Sequence, residues 1–260
     1  MKKLIYAFSA LALLFASCSS DSDSSSNDSS ATVLLKKIIE TDWDGAVTTS
    51  ILTYNGDKLQ RITNDDGTYE VYTYSGDLIT KSESFDENDA RYEAFVYTYN
   101  SESKLIEAKW LDYLGEGGGS SKVLYTHNSD GTVSYEEFTG DVSSQTEFYR
   151  EGKIYSDKIE EYAPEFDGTP AHTITHTYTY DDKNQPMKNV KGYDKIWFAF
   201  TDYGTNYLNN MTSNLHTTTL GVNQPISSTV YTYNSQNYPI TETETQQGSE
   251  HVIAVQYFYE

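Results

Sequence analysis

The sequence is poor in cysteine and in basic residues. Its 260 residues include one cysteine, Cys18, and 18 lysines and arginines against 39 aspartates and glutamates, for a net charge of −21. A single cysteine cannot close a disulfide within the chain. The excess of negative charge repels the phosphates of nucleic acids and of anionic lipids, so we expect no nucleic-acid partner.

The sequence also lacks helical periodicity and recognised catalytic motifs. No stretch combines a sustained 3.6-residue apolar repeat with capping residues, which predicts almost no helix. There is no nucleophile elbow, no phosphate-binding glycine loop and no zinc-ligand spacing. His172 and His176 share one face of a predicted strand, but about four residues of strand separate them by about 13 Å, too far to share a metal. We therefore expect no cofactor, no metal and no catalytic residue.

Paired acids occur along the chain, as in Glu136-Glu137 and Glu160-Glu161. Successive side chains of an extended strand point to opposite faces, so neither member of such a pair acts with its neighbour as an acid and base. A glycosidase needs two carboxylates about 5 to 9.5 Å apart, and different strands can supply them. The sequence selects no such pair and leaves this route open.

One long apolar run lies near the start of the chain. Lys2-Lys3 precede an apolar stretch from Leu4 to Phe15, and Ala16-Ser17 follow it. The run is too short and too close to the N-terminus for a spanning helix, which indicates a signal peptide over residues 1–17. The letters FASC resemble a lipobox, with Phe15 in place of the usual leucine or valine. We expect Cys18 to carry a lipid that anchors the protein to a membrane, the alternative being ordinary cleavage that leaves a free thiol.

A polar tract of serines and aspartates follows Cys18. Residues 18–31 have nothing to bury, which predicts a disordered tether. Asp21 and Asp23 resemble the acidic signals that send lipoproteins of Bacteroidota to the outer face of the outer membrane. We therefore expect a lipid-anchored outer-membrane protein at the cell surface, a spacer facing the periplasm being the alternative. The remaining residues, 32–260, are predicted to form a single domain.

The 24 tyrosines recur in one phrase, as in VYTYSGDLITKSE from Val71 and VYTYNSESKLIEA from Val96. Each phrase is an alternating run, a turn rich in Gly, Asn or Asp, and a second alternating run, which is typical of a β-hairpin. The residues that precede the predicted turns are Tyr54, Tyr74, Tyr99, His127, Tyr149, Tyr180, Tyr233 and Tyr259. Period-two alternation predicts that both tyrosines of a pair share one face, as a cross-strand ladder whose hydroxyls reach water.

Two strands per unit and an opening strand at Val33 to Glu40 give roughly sixteen to eighteen strands. So many strands curl or close on themselves, so the predicted fold is an all-β antiparallel meander rolled into a barrel-like or flattened sheet. The long interval between Tyr180 and Tyr233 predicts one further hairpin, with strands at KIWFAFTD from Lys195 and NLHTTTLG from Asn214. The Thr-rich, charged outer face is unlike the apolar band of a transmembrane barrel.

The phrase resembles two known kinds of sequence. YTYDDKNQP at Tyr178 to Pro186 looks like the tyrosine-aspartate repeats of Rhs-type shell proteins, in which successive hairpins form a spiral sheet. The Gly-Arg of those repeats is missing, and eight hairpins are too few to enclose a toxin. In size, leader and ending, the chain from Val33 to Glu260 is similar to a domain family of unknown function that has a porin-like fold and occurs in lipoproteins of Bacteroidota. That resemblance implies a fold and no reaction.

The three tryptophans are the candidate ligand-binding residues. Trp43, Trp110 and Trp197 offer flat aromatic faces of the kind that stack on sugars, while burial in the core is the plainer interpretation. The first functional hypothesis is a non-catalytic, surface-anchored lipoprotein that binds a glycan or a protein partner or has a structural role in the envelope. The alternative is a secreted polysaccharide hydrolase. A cleft with two close carboxylates favours the hydrolase, and an aromatic strip favours binding.

Overall fold

The protein is a closed antiparallel β-barrel. A computed structural model describes residues 32–114, 119–165, 168–199, 204–221, 227–246 and 252–260; the predicted signal peptide, the tether and Cys18 lie outside these ranges. Within them, each strand pairs with its sequence neighbours and the last strand pairs with the first. The strands are β1 (Leu35–Thr41), β2 (Val47–Asn55), β3 (Lys58–Asn64), β4 (Tyr69–Ser75), β5 (Leu78–Phe85), β6 (Arg91–Tyr99), β7 (Leu105–Asp112), β8 (Ser120–His127), β9 (Val133–Asp141), β10 (Ser144–Ile154), β11 (Lys158–Ala163), β12 (His172–Tyr180), β13 (Met211–Thr218), β14 (Ser227–Tyr233), β15 (Pro239–Gln246) and β16 (Val252–Tyr259).

The predicted antiparallel meander is confirmed, and the sheet closes into a barrel instead of remaining a flattened sheet. Leu35 of β1 pairs with Tyr259 of β16, so the sheet described here has no free edge strand. Closure satisfies the hydrogen bonds that two exposed edges would leave unpaired. Two-residue turns join several hairpins, and Gly56 and Gly76 adopt φ values of 62° and 57° there, a conformation that glycine reaches without strain.

The two faces of each strand follow the predicted alternation. Tyr97 on β6 is 4% exposed and belongs to the hydrophobic core inside the barrel, whereas the next residue, Thr98, is exposed on the outer wall. Tyr72, Tyr125 and Tyr178 are buried in the same core. The tyrosine ladder therefore lines the lumen, because inward-facing rings fill a barrel too wide for aliphatic side chains alone.

Hydroxyl groups of the ladder bind protein groups, which are backbone carbonyls for some of the tyrosines and carboxylates for others such as Tyr72. Tyr54 donates to the carbonyl oxygen of Leu35 at 2.6 Å, and Tyr99 donates to that of Ile79 at 2.6 Å. His127 occupies the same place in its repeat, and its Nε2 lies 2.8 Å from the carbonyl oxygen of Leu105. Each contact reaches the preceding, adjacent strand, so the repeat adds side-chain bonds between neighbouring strands at one end of the barrel.

Arg150–Lys153 was predicted to be a turn and forms part of β10. The hairpin turn comes later, between Ile154 and Lys158. Gly152 suggested a turn, but it pairs with Tyr135 and Glu161 in the sheet, and a β-carbon there would lie 2.6 Å from the Tyr135 ring. A strand glycine covered by an aromatic ring is a known stabilising arrangement, which local sequence cannot distinguish from a turn.

The segment between β12 and β13 enters the lumen instead of forming the predicted hairpin. KIWFAFTD does not form a strand where it is described: a four-residue helix, α1 (Tyr193–Ile196), leads into a 3₁₀ turn (Trp197–Ala199), while NLHTTTLG falls largely in β13 as predicted. Ile196 packs in the core with inward residues of the wall. Backbone bonds from Lys191 to Asp57 and from Asn184 to Asn237 fix the segment to other turns of the same barrel end.

Candidate ligand site in the barrel lumen

A cavity of about 290 Å³ lies inside the wall formed by β6 to β10. Its position follows from the alternation, because Trp110 pairs in register with Phe95, and Tyr125 pairs with Tyr135. Residues that pair in register share a face, so these rings converge on the lumen. The cavity is lined by Glu93, Phe95, Ala108, Lys109, Trp110, Ser121, Val123, Tyr125, Tyr135, Glu137, Arg150, Ile154 and Ala199.

A buried ionic network forms one side of this cavity. Arg150 Nε lies 2.6 Å from Glu137, and Arg150 Nη1 lies 2.7 Å from Glu161, which is only 2% exposed. Tyr135 donates to the second oxygen of Glu161 at 2.7 Å. A fixed guanidinium between two carboxylates is a rigid arrangement, since the planar fork of arginine matches carboxylate geometry.

The electrostatics of the network keep Glu161 ionised. Burial raises the pKa of Glu161, but hydrogen bonding to His176, the charge of Arg150 and the hydrogen bond from Tyr135 outweigh it and hold the pKa below its usual value. Burial lowers the pKa of Arg150, while Glu161 and Glu137 raise it more, so the guanidinium stays charged. Glu161 is thus unsuited to act as a general acid near neutral pH.

Trp110 is held in the cavity by a carboxylate. Its indole Nε1 donates a short hydrogen bond to Glu93, which faces the lumen from β6. Trp110, Phe95 and Glu93 are half-buried, so solvent reaches them. The hydrogen bond fixes the plane of the indole, and the site therefore presents an aromatic side chain whose orientation is set before any ligand binds.

The three tryptophans lie in different places. Trp43 is 58% exposed in the turn between β1 and β2, and Trp197 lies in the lumen segment beside a separate cavity of about 410 Å³. Only Trp110 lines the cavity with the ionic network. The structure therefore forms no continuous tryptophan surface.

A second cavity, of about 300 Å³, shares Glu93 and Phe95 with the first and is also lined by Glu70 and Tyr193 of α1. Burial raises the pKa of Glu70, hydrogen bonds from Tyr72 and Ser82 oppose the shift, and the charge of Glu93 adds to it. This cavity thus contains two carboxylates, one of which binds its proton more tightly than an exposed glutamate.

The alternation predicted correctly that neighbouring glutamates face opposite sides of the barrel wall, but the sequence did not predict the ionic network around Arg150. Glu161 and Glu137 face inward, while Glu160 binds Lys158 on the outer wall. Arg150 was assigned to a turn, so its role was missed. Arg150 pairs in register with Glu137 and shares its lumenal face, but its partners come from β9 and β11, and only strand pairing brings them together.

Two further observations concern metals and helices. Among the residues that the structure describes, no three histidine, cysteine, aspartate or glutamate side chains are grouped to hold a metal ion. Over the same ranges, neither short helical segment has the length or apolar character needed to cross a membrane. His176 stacks on His216 with ring centroids 4.5 Å apart and contacts Glu161, which accounts for these histidines as part of the wall.

The fold is similar to that of two solved proteins from Bacteroides. A porin-like protein from Bacteroides vulgatus ATCC 8482 superposes with a TM-score of 0.60 at 15% identity, over 88% of this chain and 99% of that one. A porin-like protein from Bacteroides uniformis ATCC 8492 gives 0.51 at 13% identity, over 87% and 96%. No protein-family model and no curated protein matches the sequence. At these identities the likeness shows the porin-like barrel fold alone.

Proposed function

We propose that this protein is a non-catalytic binding protein of the bacterial envelope, anchored by a lipid on Cys18 to the outer membrane and displayed at the cell surface. Its ligand is a glycan, with a protein partner as the alternative. The observation that carries the proposal is the solvent-accessible lumenal cavity, where aromatic rings and oriented polar groups converge. Small-molecule sites combine these two features. The porin-like neighbours support an envelope role.

The chemistry of the outer wall supports a lipid anchor as the means of membrane attachment. Lys81 pairs with Val96, Val96 with Lys109, and Lys109 with Lys122, so three lysines lie on one outward-facing row. A lysine on the lipid face of a barrel costs about 2–4 kcal/mol at the bilayer midplane. Such a wall suits water, and attachment through Cys18 leaves it in water.

The lumen segment favours binding over passage of solutes. Met187, Val190 and Ile196 pack in the core together with wall residues such as Ile79. A wide channel needs a water-filled lumen, whereas here part of the chain occupies it. The remaining space is divided into cavities of a size that suits one small ligand group.

The test uses the full-length protein and a Cys18→Ser variant. We expect wild type in the outer-membrane fraction, sensitive to protease added to intact cells, and the variant released from the membrane. The same purified protein is then incubated with polysaccharides, and both retention and release of reducing ends are measured. Retention without release supports the proposal. Variant and wild type fractionating alike, or release of reducing ends, contradicts it.

One observation favours the hydrolase as a second candidate. Glu70 has a raised pKa and shares its cavity with Glu93, and glycoside hydrolysis uses a pair of carboxyl groups of which the general acid has a raised pKa. If the protein is this enzyme, a Glu70→Gln variant abolishes the release of reducing ends and keeps polysaccharide retention.

A further inference from the structure

We infer that the cavity between β6 and β10 binds one neutral sugar ring, either a free sugar or the terminal ring of a neutral glycan, against the side chain of Trp110. The inference rests on the proposed binding function and names the site and the chemical class of ligand. It follows from three properties of the cavity: its aromatic walls, its polar groups and its charge.

The aromatic walls suit the apolar face of a sugar. Phe95 and Trp110 lie opposite each other on neighbouring strands, and Tyr125 and Tyr135 do so on the next pair. A sugar ring has a face of C–H groups that packs on an aromatic ring, while its hydroxyls project from the edge. The four side chains therefore form a surface for the C–H groups.

The polar groups suit the hydroxyl edge of the same ring. Glu137 and Glu93 supply carboxylate oxygens, which accept hydrogen bonds, and Arg150 supplies N–H donors. Each group is already fixed, Glu93 by the indole of Trp110 and Glu137 by Arg150. Groups that are held before binding lose little freedom when a ligand arrives, which favours affinity. Oxygens with free lone pairs remain on both carboxylates for hydroxyl donors.

The local charge selects against acidic sugars. Glu93 and Glu137 line the cavity, and Glu161 holds the other side of Arg150. Lys109 alternates with Trp110 and directs its charge to the outer wall, so Arg150 is the one lining residue with a positive charge on the lumenal face. A uronic acid or a sulfated sugar placed there meets a net negative site and is repelled. A neutral sugar ring is not repelled by these charges.

The size and place of the cavity limit the ligand. A volume of about 290 Å³ is at the lower end of small-ligand sites and suits one ring. Trp110 lies near the end of β7, whereas the lumen segment is fixed at the barrel end where β6 and β7 are joined. The site therefore lies nearer the opposite end of the barrel.

The test is calorimetric titration of the full-length protein with methyl glycosides of neutral hexoses, with glucuronate and with choline as comparison ligands. We expect a neutral glycoside to bind, and Trp110→Ala to weaken its affinity about tenfold or more, the effect of losing a central aromatic contact. The matched control, Trp43→Ala, changes an exposed tryptophan outside the lumen and leaves affinity within about twofold. Ala108→Phe fills the cavity without removing a polar group and abolishes binding.

Each other result has a defined meaning. Glucuronate or choline bound in place of neutral glycosides overturns the assigned ligand class. A neutral glycoside lost in Trp43→Ala and retained in Trp110→Ala and Ala108→Phe overturns the site but leaves the proposed binding function intact. Absence of binding for every methyl glycoside overturns the inferred ligand class, and release of reducing ends from polysaccharide refutes the proposed non-catalytic function as well. Should Trp110→Ala fail to fold, Ala108→Phe gives the same readout.

Discussion

Replacing Tyr97 by alanine tests the inward-facing ladder most directly. Tyr97 is 4% exposed, stacks on Phe95 with centroids 6.5 Å apart and planes 8° from parallel, and lies in the core. Truncating a buried aromatic to alanine costs about 3–5 kcal/mol, because transfer free energy is lost and a cavity remains. Natural domains have only about 5–15 kcal/mol of stability, so this loss is large.

The neighbouring residue supplies the control. Thr98 is exposed on the outer wall, so Thr98→Ala is expected to cost only a few tenths of a kcal/mol, as surface changes usually do. Tyr97→Phe keeps the ring and removes the hydroxyl, which bonds to Ser82, and should cost about 1 kcal/mol. The three variants thus measure separately what the Tyr97 ring, the Tyr97 hydroxyl and an outward-facing residue contribute to the free energy of unfolding.

The assay is urea denaturation followed by far-ultraviolet circular dichroism. The midpoint should fall most in Tyr97→Ala, less in Tyr97→Phe and least in Thr98→Ala, with little change of slope. A midpoint lowered more by Thr98→Ala than by Tyr97→Ala would refute the assignment of faces. An unchanged midpoint in Tyr97→Ala would show that the ladder contributes nothing to the core.

Two further predictions concern the acids of the lumen. Glu161→Gln breaks the buried pair with Arg150 and should lower the free energy of unfolding by about 3–5 kcal/mol. Glu160→Gln on the outer wall should lower it by less than about 1 kcal/mol. Equal losses for the two variants in urea titrations would contradict this prediction. Burial raises the pKa of Glu242, and Glu244 and Glu40 act in the same direction against the hydrogen bond from Tyr257. Protonated Glu242 contributes fully to the free energy of unfolding below the usual glutamate pKa, and this contribution is lost as pH rises through the raised pKa. The free energy of unfolding of Glu242→Gln should therefore increase relative to that of wild type between acidic and neutral pH. Parallel pH profiles of the two proteins would refute that reasoning.

The local pattern was a reliable guide wherever neighbouring residues decide the structure. Tyr97 and Thr98 took opposite faces as predicted, because the side-chain period of a strand is two regardless of its surroundings. Glycine turns such as that at Gly56 were located because few other residues adopt positive φ without cost. The turn predicted at Gly152 was wrong, since the conformation there depends on the Tyr135 ring from the next strand.

The sequence by itself determined most of the strands, their approximate number and which face of each is polar, since these follow from alternation and turn chemistry within about twenty residues. Only the tertiary structure decided that Leu35 meets Tyr259 and that the barrel closes, because that pairing satisfies edge hydrogen bonds between opposite ends of the domain. The lumenal site was decided in the same way. Arg150 joins Glu137 and Glu161 from three adjacent strands, and strand register, which depends on the whole sheet, brings their charges together.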